Sequence, residues 1–385
     1  MSVRHAKRLK GLVQSDIRYM TRECDRLSGI NLGQGLCELE IPEVVTRSAR
    51  RAIADGCNAY SYPEGVVELR ERIASKLDRH NGLDFDPVGD VVVTVGASGA
   101  FACTINALLD PGDGILLFEP YYGYHLNASI LGGLEPRFME LEPPGFTLDE
   151  QRLREACGEG VRAVVLCTPS NPSGHMFGIG ELEGLARVAE ERDLLVITDE
   201  VYEYVRFDGR PHVSPATVAG LRDRTVTISS LSKTFSITGW RLGYAAAPRE
   251  MARALTLVND LYYVCAPTPL QHAVAAGFGA PDEYFEGLSR TFESKRERLC
   301  SALDEAGLDP IVPEGAYYVL ADAAALGCKS SREAAMKLLE RTGVASVPGS
   351  AFYRGATGER LLRFCFAKDH GPLDEACLRL SRLGA

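Results

Sequence analysis

The sequence lacks the features that mark several classes of protein. Its 42 Lys and Arg residues are outnumbered by 52 Asp and Glu residues, which leaves a formal net charge of −10 at pH 7. Proteins that bind nucleic acids or anionic membranes present basic surfaces, so this balance predicts neither partner and favours small-molecule chemistry. The first 16 residues contain no apolar core of a secretory signal. The uncharged stretch 91–109 is broken by polar residues, which predicts a buried strand followed by a helix rather than a membrane span.

Cysteine is present, but in no pattern that indicates a metal site or a disulfide framework. The eleven cysteines are scattered between Cys24 and Cys377, and no Cys-x-x-Cys pair occurs. No group of Cys and His residues has the spacing of a zinc site, and an odd total cannot pair completely within one chain. We therefore expect reduced thiols, no bound metal and a cytoplasmic location. A Walker A loop and a dinucleotide-binding fingerprint are also missing.

Length and hydrophobic periodicity predict two domains. A chain of 385 residues exceeds what one hydrophobic core usually supports. From residue 90 onward, short apolar runs alternate with amphipathic segments, which is typical of parallel strands joined by helices. The predicted strands are 91–95, 115–118, 137–141, 163–167, 194–198, 225–228 and 242–246.

The predicted fold class is α/β, with a large domain and a smaller α+β domain. Residues 50–280 are expected to form the large domain, in which helices flank a mainly parallel seven-stranded sheet. A long charged helix is predicted at 281–306, and the strands and helices after it are more isolated. The polar segment 1–49 is expected to pack with this last part of the chain. The smaller domain is therefore predicted to be discontinuous, comprising 1–49 and 281–385.

Unusual residues follow several of the predicted strands. They are Gly96-Ala97-Ser98, Pro120-Tyr121-Tyr122, Asn171-Pro172, Asp199-Glu200-Val201-Tyr202 and Ser230-Leu231-Ser232-Lys233. Ligands of open α/β sheets bind beyond the carboxyl ends of the strands. We therefore expect one cleft to gather all five segments.

Lys233 follows an apolar strand end and small hydroxyl residues, where a lysine is placed to lose solvent. Loss of solvent lowers the pKa of an amine and makes its neutral form available for Schiff-base formation. Taken alone, a lysine is more often a solvated surface charge, and the neighbouring sequence decides between the two interpretations.

The segment 229–243, Ser-Ser-Leu-Ser-Lys-Thr-Phe-Ser-Ile-Thr-Gly-Trp-Arg-Leu-Gly, resembles the cofactor-lysine signature of the class I and II aminotransferases. These are pyridoxal-phosphate (PLP) enzymes of fold type I, and among them the chain resembles the aspartate and kynurenine aminotransferases. The resemblance, which extends over about residues 25–385, implies that Lys233 holds pyridoxal 5′-phosphate as an internal aldimine. It also implies that Ser230 and Arg241 bind the cofactor phosphate.

The same resemblance assigns two residues beside the pyridine ring. A PLP enzyme needs an anion near the pyridine nitrogen so that the ring can act as an electron sink. Asp199 matches that partner, and Tyr202 matches the phenol that hydrogen-bonds the cofactor O3′. An aspartate that caps the following helix is the alternative interpretation of Asp199.

Gly96, Ala97 and Ser98 open a predicted helix directly after a strand. Free backbone N–H groups and the helix dipole make such a position suitable for a phosphate. An ordinary tight turn is an equal alternative from these residues alone. In the family, the positions of Ala97 and Ser98 hold the same phosphate as Ser230 and Arg241.

Three further matches concern the ring and the substrate. The resemblance places Tyr122 on the face of the pyridine, Asn171 at O3′ and the substrate carboxylate, and Gly35 where substrate approaches the backbone. Core packing of a tyrosine and an Asn-Pro turn are the ordinary alternatives for the first two.

Arg363 is the candidate for the substrate α-carboxylate, because guanidinium binds carboxylates in a bidentate manner. It lies in the apolar run 361–367, where a charge needs a partner. A solvent-facing edge-strand arginine is the alternative. The family's carboxylate-binding arginine stands at this position.

Tyr60 matches a family tyrosine that reaches the phosphate of the neighbouring subunit, which implies a homodimer with shared active sites. One segment departs from the family: Gly35-Leu36-Cys37-Glu38-Leu39 replaces the Gly-Phe-Pro-Asp-Phe of many relatives. This departure leaves the identity of the substrate open. No segment resembles a clamp for a distal carboxylate.

Transamination between an amino acid and a 2-keto acid is the leading functional hypothesis. An alternative keeps the cofactor but catalyses β- or γ-elimination, replacement or ring formation, for example on S-adenosylmethionine or a cysteine conjugate. A second alternative is the effector-binding domain of a transcription regulator, but the acidic chain shows no basic helix-turn-helix segment.

Overall fold

A computed structural model describes residues 5–12 and 15–383 of the chain. Residues 1–4, 13–14 and 384–385 of the predicted small domain lie outside the described residues, as does part of the segment searched for a signal. The strands of the described part are β1 (Ile30–Asn31), β2 (Val91–Thr94), β3 (Gly114–Glu119), β4 (Glu135–Glu140), β5 (Val161–Cys167), β6 (Leu195–Asp199), β7 (Thr225–Ser230), β8 (Gly243–Ala246), β9 (Asp309–Ile311), β10 (Tyr318–Asp322), β11 (Val344–Ala345), β12 (Val347–Pro348) and β13 (Leu361–Cys365).

Helices flank these strands on both sides. In chain order they are α1 (Asp16–Arg26), α2 (Glu43–Ala54), α3 (Val67–Lys76), α4 (Gly96–Leu108), α5 (Gly123–Leu131), α6 (Glu150–Ala156), α7 (Ile179–Arg192), α8 (Leu231–Thr234), α9 (Arg249–Tyr263), α10 (Thr268–Gly277), α11 (Asp282–Glu305), α12 (Ser331–Thr342) and α13 (His370–Ser381). Within the described ranges, none of the helices is both long enough and apolar enough to cross a bilayer.

The large sheet has seven strands in the order β2-β8-β7-β6-β5-β3-β4. Each of the seven predicted strands overlaps one of them, and the predicted α/β class with a mainly parallel sheet is confirmed. β2, β3 and β7 are buried along their whole length, as expected when helices cover both faces.

One strand of this sheet runs against the others. β8 is antiparallel to both β2 and β7, so the sheet is mixed. The connection from β7 to β8 contains only the four-residue helix α8 and a short 3₁₀ turn. The connection, residues 231–242, is at the lower limit of length for a crossover to a parallel neighbour and lacks the full helix that such a crossover usually contains.

A second, smaller region contains a four-stranded antiparallel sheet in the order β12-β13-β10-β9. Helices α11, α12 and α13 pack with it around a core that includes Phe292, Leu338 and Phe364. The N-terminal part of the chain joins this region, because β1 pairs with β11, and Met20 and Cys24 of α1 enter the same core. The predicted boundary at residue 50 falls inside α2, which packs against α10, and the division into 1–49, 50–280 and 281–385 stays a prediction.

All eleven cysteines lie within the described residues and are unpaired.

Candidate active site

The carboxyl ends of the central strands lead into one cavity of about 940 Å³. The register of the sheet aligns these ends: Cys167 of β5 lies opposite Asp199 of β6, so the segments that follow them begin side by side. Eleven of the residues singled out from the sequence line this cavity. They are Gly35, Ala97, Ser98, Tyr122, Asn171, Asp199, Tyr202, Ser230, Lys233, Arg241 and Arg363.

Two other candidate residues lie elsewhere. Gly96 is the first residue of α4 and precedes Ala97, which lines the cavity. Its φ is +71°, a conformation that favours glycine. A Cβ at this position would lie 2.5 Å from the Arg241 guanidinium. Tyr60 does not line the cavity of its own chain, and its side chain is 83% exposed.

Lys233 projects from the short helix α8, which begins directly after β7. Ser230 caps this helix, since its hydroxyl accepts a hydrogen bond from the backbone N–H of Ser232 at 3.1 Å. The Lys233 amine donates to the carbonyl of Gly35 at 3.3 Å. Burial lowers the pKa of Lys233 to about 8. A substantial fraction of the amine is therefore neutral near physiological pH and available as a nucleophile or base.

Asp199 is the last residue of β6 and is buried. Its Oδ2 lies 3.0 Å from His125 Nε2, and its Oδ1 accepts a hydrogen bond from the backbone N–H of Val201 at 3.3 Å. Residues 201–204 form a turn and no described helix begins there, so the helix cap expected as the alternative is wrong, and the contact to Val201 closes the turn instead. Oδ2 is left to pair with the imidazole of His125. The sequence analysis missed His125, although it stands one helical turn after Tyr122 at the start of α5.

Tyr202 and Tyr318 bring their hydroxyl oxygens to within 3.1 Å of each other. Burial raises the pKa of Tyr202 well above its ordinary value, so the phenol keeps its proton and remains a donor. A Cβ on Gly35 would overlap the Tyr318 hydroxyl. The backbone at Gly35 can therefore approach these rings only because the residue has no side chain.

An anion cradle forms where α4 begins. Arg241 donates to the Ser98 hydroxyl at 3.1 Å and to the Thr238 carbonyl at 3.0 Å. Both partners are neutral, and Arg241 forms no ion pair within the described part of the chain. The buried Ser232 hydroxyl nearby also lacks a hydrogen-bond partner among the described residues. Unpaired donors next to a helix N-terminus suit a phosphate.

Arg363 is only 1% exposed and lies on β13, between β12 and β10. The edge-strand alternative is therefore wrong, because this strand is interior to its sheet. The guanidinium donates to Asn171 Oδ1 at 2.8 Å and to the Gly33 carbonyl at 2.6 Å. Its Nε has no partner, and no described carboxylate pairs with it. A buried cation held only by neutral acceptors favours an anionic ligand.

A polar cluster beside the end of β6 has the geometry of a metal site. Ligand atoms of Glu200, Glu203 and His212 lie within 4.8 Å of one another. Lys76 forms an ion pair with Glu203, and His212 Nε2 lies 2.7 Å from Glu200 Oε2. The Lys76 ammonium supplies the positive charge that a metal ion would otherwise bring to Glu203.

Comparison with known proteins assigns this arrangement to a family. Residues 28–380 match the family described as aminotransferase class I and II. The chain is 34% identical to the methionine aminotransferase of Escherichia coli, over 92% of each chain. It is 32% identical to rat kynurenine–oxoglutarate transaminase 3, over 97% of this chain and 89% of that protein.

The fold gives the same assignment. The structure of N-succinyldiaminopimelate aminotransferase from Mycobacterium tuberculosis matches with a TM-score of 0.95 and 36% identity, over 99% of this chain and 100% of that chain. The chain belongs to the class I and II aminotransferases. It is therefore a transferase that depends on pyridoxal 5′-phosphate, as the resemblance of its lysine segment implied.

The cavity of this aminotransferase fits that cofactor chemically. A phosphate would meet the unpaired donors around Arg241, and a ring nitrogen would find the buried carboxylate of Asp199. The partly neutral amine of Lys233 lines the same cavity and interacts electrostatically with both Arg241 and Asp199. Tyr122 stacks with Tyr124, which also lines the cavity, at a ring separation of 5.3 Å, so a neighbouring ring supports its plane.

Proposed function

We propose that Lys233, Asp199 and Tyr202 carry the transamination reaction of this enzyme, and that the other residues of the cavity hold its cofactor and substrate. The observation that carries this proposal is that one cavity contains three kinds of ionisable group that PLP chemistry requires. It contains an amine with a pKa lowered to about 8, a buried carboxylate and two guanidinium groups, those of Arg241 and Arg363, that lack a carboxylate partner among the described residues.

When bound, pyridoxal phosphate supplies an electron sink that stabilises negative charge at the substrate α-carbon. Lys233 removes the α-proton of the amino acid as a general base and later donates it as a general acid, which its lowered pKa favours at neutral pH. Asp199 keeps a proton on the ring nitrogen, and His125 at 3.0 Å fixes the orientation of its carboxylate. The Tyr202 phenol, which keeps its proton, would donate a hydrogen bond to the O3′ oxygen of the cofactor.

The phosphate is held at the start of α4. The residues that would hold it are Gly96 and Ala97 through their backbone N–H groups, and Ser98, Ser230 and Arg241 through their side chains. The helix dipole and charge-assisted hydrogen bonds both favour a dianion at this point.

Four residues orient the ring and the substrate. Tyr122 would stack on the ring face, and Asn171 would hydrogen-bond the O3′ oxygen and the substrate carboxylate. Arg363, which already donates to Asn171 at 2.8 Å, binds the α-carboxylate. Gly35 leaves room for the substrate beside its backbone. The substrates are thus an α-amino acid and a 2-keto acid.

The enzyme is proposed to act as a cytoplasmic homodimer with shared active sites. Tyr60 is 83% exposed and absent from the cavity of its own chain, which leaves its hydroxyl available to the phosphate site of a second copy. Tyr60→Phe should weaken cofactor binding by roughly 10-fold or more, since one hydrogen bond to a charged group is lost. Titration of apoenzyme with the cofactor measures this, and Tyr62→Phe is a matched exposed control. Equal affinity in both variants would exclude Tyr60 from the site.

The central experiment replaces Lys233. Purified Lys233→Ala protein should lose the visible absorption of the lysine-bound cofactor and its steady-state turnover. Lys329→Ala, at an exposed position away from the cavity, serves as the control. Transamination also requires that an amino acid alone converts the cofactor of the wild-type enzyme to its amine form in a single turnover. Retention of absorption and turnover in Lys233→Ala would remove Lys233 from the mechanism.

A further inference from the structure

One face of helix α1 forms part of the wall of the active-site cavity. Ile17, Arg18, Thr21 and Arg22 line the cavity, at the spacing of neighbours on one helix face. The opposite face carries Met20 and Cys24, which are buried in the core of the smaller region. Asp16 also forms an ion pair with Arg332 on α12. The helix is therefore anchored on its other side, and its cavity-lining residues have a defined position.

A loop connects this face to the reacting residues. The Asn31 amide donates to Thr21 Oγ1 at 3.2 Å, and its Oδ1 accepts from the backbone N–H groups of Gly33 and Gln34 at 2.9 and 3.0 Å. The carbonyl of Gly33 accepts from Arg363, and the next residues of the loop lead to Gly35, whose carbonyl accepts from Lys233. This chain of hydrogen bonds fixes the position of α1 relative to a substrate bound at Arg363.

The charges of the cavity do not balance. Its lining contains four arginines and one lysine but a single carboxylate, that of Asp199. In the proposed function, Arg241 binds the cofactor phosphate and Arg363 binds the substrate α-carboxylate. Arg18 and Arg22 remain, and both are exposed at the open side of the cavity.

Neither remaining arginine is neutralised by the protein. Among the described residues, no carboxylate forms an ion pair with Arg18 or Arg22. Arg18 interacts with the hydroxyl of Tyr124, a neutral acceptor that raises its pKa. Arg26, one turn further along α1, differs because it pairs with Glu23 at 2.8 Å. In a chain of net charge −10, two unpaired guanidiniums in one cavity mark a place for an anion.

We propose that Arg18 and Arg22 bind a second carboxylate at the far end of the substrate, so that this enzyme prefers dicarboxylic amino acids and dicarboxylic 2-keto acids. The proposal rests on the proposed function, because Arg363 has to hold the α-carboxylate. Arg18 and Arg22 are four residues apart on α1, so their Cα atoms lie about 6 Å apart along the helix axis, and side chains at this spacing can both reach one carboxylate. The lining beside them includes Leu12 and Leu131, which suits an apolar spacer between the two carboxylates.

The test compares two keto-acid acceptors with the holoenzyme and a common amino donor. 2-Oxoglutarate carries a second carboxylate, and 2-oxobutyrate does not. We expect the wild-type enzyme to have the higher kcat/KM with 2-oxoglutarate. In the double variant Arg18→Gln/Arg22→Gln, the ratio of kcat/KM for 2-oxoglutarate to kcat/KM for 2-oxobutyrate should fall roughly 10- to 100-fold. The fall should come from a higher KM for 2-oxoglutarate. Arg26→Gln, on the same helix but outside the cavity, should leave the ratio unchanged.

A binding measurement gives a second readout that does not depend on turnover. Calorimetric titration of the holoenzyme should show tighter binding of glutarate than of butyrate, and the double variant should lose that difference. An unchanged kcat/KM ratio in the double variant, an equal loss with both acceptors, or a wild-type enzyme without dicarboxylate preference would overturn the proposal while transamination itself stands. Failure of the proposed function would appear separately, as turnover that persists in Lys233→Ala.

Discussion

Replacement of Lys233 by methionine is expected to stabilise the cofactor-free protein at neutral pH. The Lys233 amine sits where burial opposes its charged form, and the effect of Arg241 adds to this. Methionine has a similar length and no charge, so the substitution removes the unfavourable ion and keeps most of the packing. The lysine is retained at the expense of stability because its chemistry requires a neutral amine.

The magnitude and its pH dependence follow from the lowered pKa. A fall from 10.5 to about 8 corresponds to an upper limit of about 3 kcal/mol of destabilisation at pH 7, before water in the cavity reduces it. Below pH 8 the folded and unfolded states both carry the proton, and the full cost is present. Between pH 8 and 10.5 the folded state loses its proton first, so wild-type stability rises with pH. Above 10.5 the cost has disappeared.

The measurement is the difference in free energy of unfolding between Lys233→Met and the wild type, from urea denaturation of the cofactor-free proteins at several pH values. The difference should favour the variant at pH 7 and decrease steadily from pH 8 to 10.5. Titrations of all other groups cancel in this difference. Lys329→Met, at an exposed site, should show no such trend. A difference that is independent of pH, or that grows with pH, would show that the amine is not desolvated.

Three further substitutions test separate parts of the site. Asp199→Asn keeps an oxygen for His125 but removes the charge at the ring nitrogen, so kcat should fall by about 100-fold or more, and a wild-type kcat in steady-state assays would exclude the proposed electrostatic role. Arg363→Lys cannot bind a carboxylate in a bidentate manner and should raise KM for amino acid and keto acid by roughly 10-fold or more, whereas unchanged KM values would place the α-carboxylate elsewhere. Gly96→Ala puts a Cβ 2.5 Å from the Arg241 guanidinium, at a residue whose φ is +71°. This substitution should weaken cofactor binding, measured by spectrophotometric titration. Wild-type affinity would mean that the phosphate site tolerates displacement of Arg241.

Much of the fold could be predicted from the sequence because strand periodicity in this chain is strong. Runs such as 161–167 are apolar along nearly their whole length, which only a strand covered on both faces explains well. The direction of β8 was not predictable from its composition. It depends on how the connection after Ser230 folds, because that connection forms only the four-residue helix α8 and a short 3₁₀ turn rather than a full crossover helix. β11 and β12 have two residues each and carry too little pattern to be recognised.

Strand patterns predicted the site residues that follow strand ends, whereas Gly35 and Arg363, which come from other elements, were assigned with the help of the family resemblance. Asp199 and Lys233 follow apolar strands, so their side chains were expected at the same edge of the sheet. His125 and Tyr318 reach the cavity from a helix and from the smaller sheet, and only the packing of those elements brings them to Asp199 and Tyr202. No local pattern in the sequence contains that information.

Residues 35–39, the segment that departs from the family, have different roles because their neighbours differ. Leu36 lines the cavity, whereas Cys37 turns away to Ser236, with Sγ and Oγ separated by 3.2 Å. Glu38 is neutralised by an ion pair with Lys368, so the acidic residue of this segment does not oppose an anionic substrate.

The role of each arginine likewise depends on its neighbours. The sequence shows a guanidinium at each position but not whether a carboxylate reaches it, and that is the property that distinguishes a structural arginine from a ligand-binding one. Arg296, for example, is paired with Asp208, whereas Arg363 in an equally buried position has only neutral acceptors among the described residues. Because an unpaired buried cation is costly, the persistence of Arg363 in a folded chain indicates an anion that binds there. Arg18 and Arg22 are exposed, so this cost does not apply to them, but they line the cavity without a described carboxylate partner, whereas Arg26 pairs with Glu23 outside it. The proposed preference for a second carboxylate therefore rests on the charge balance of the cavity.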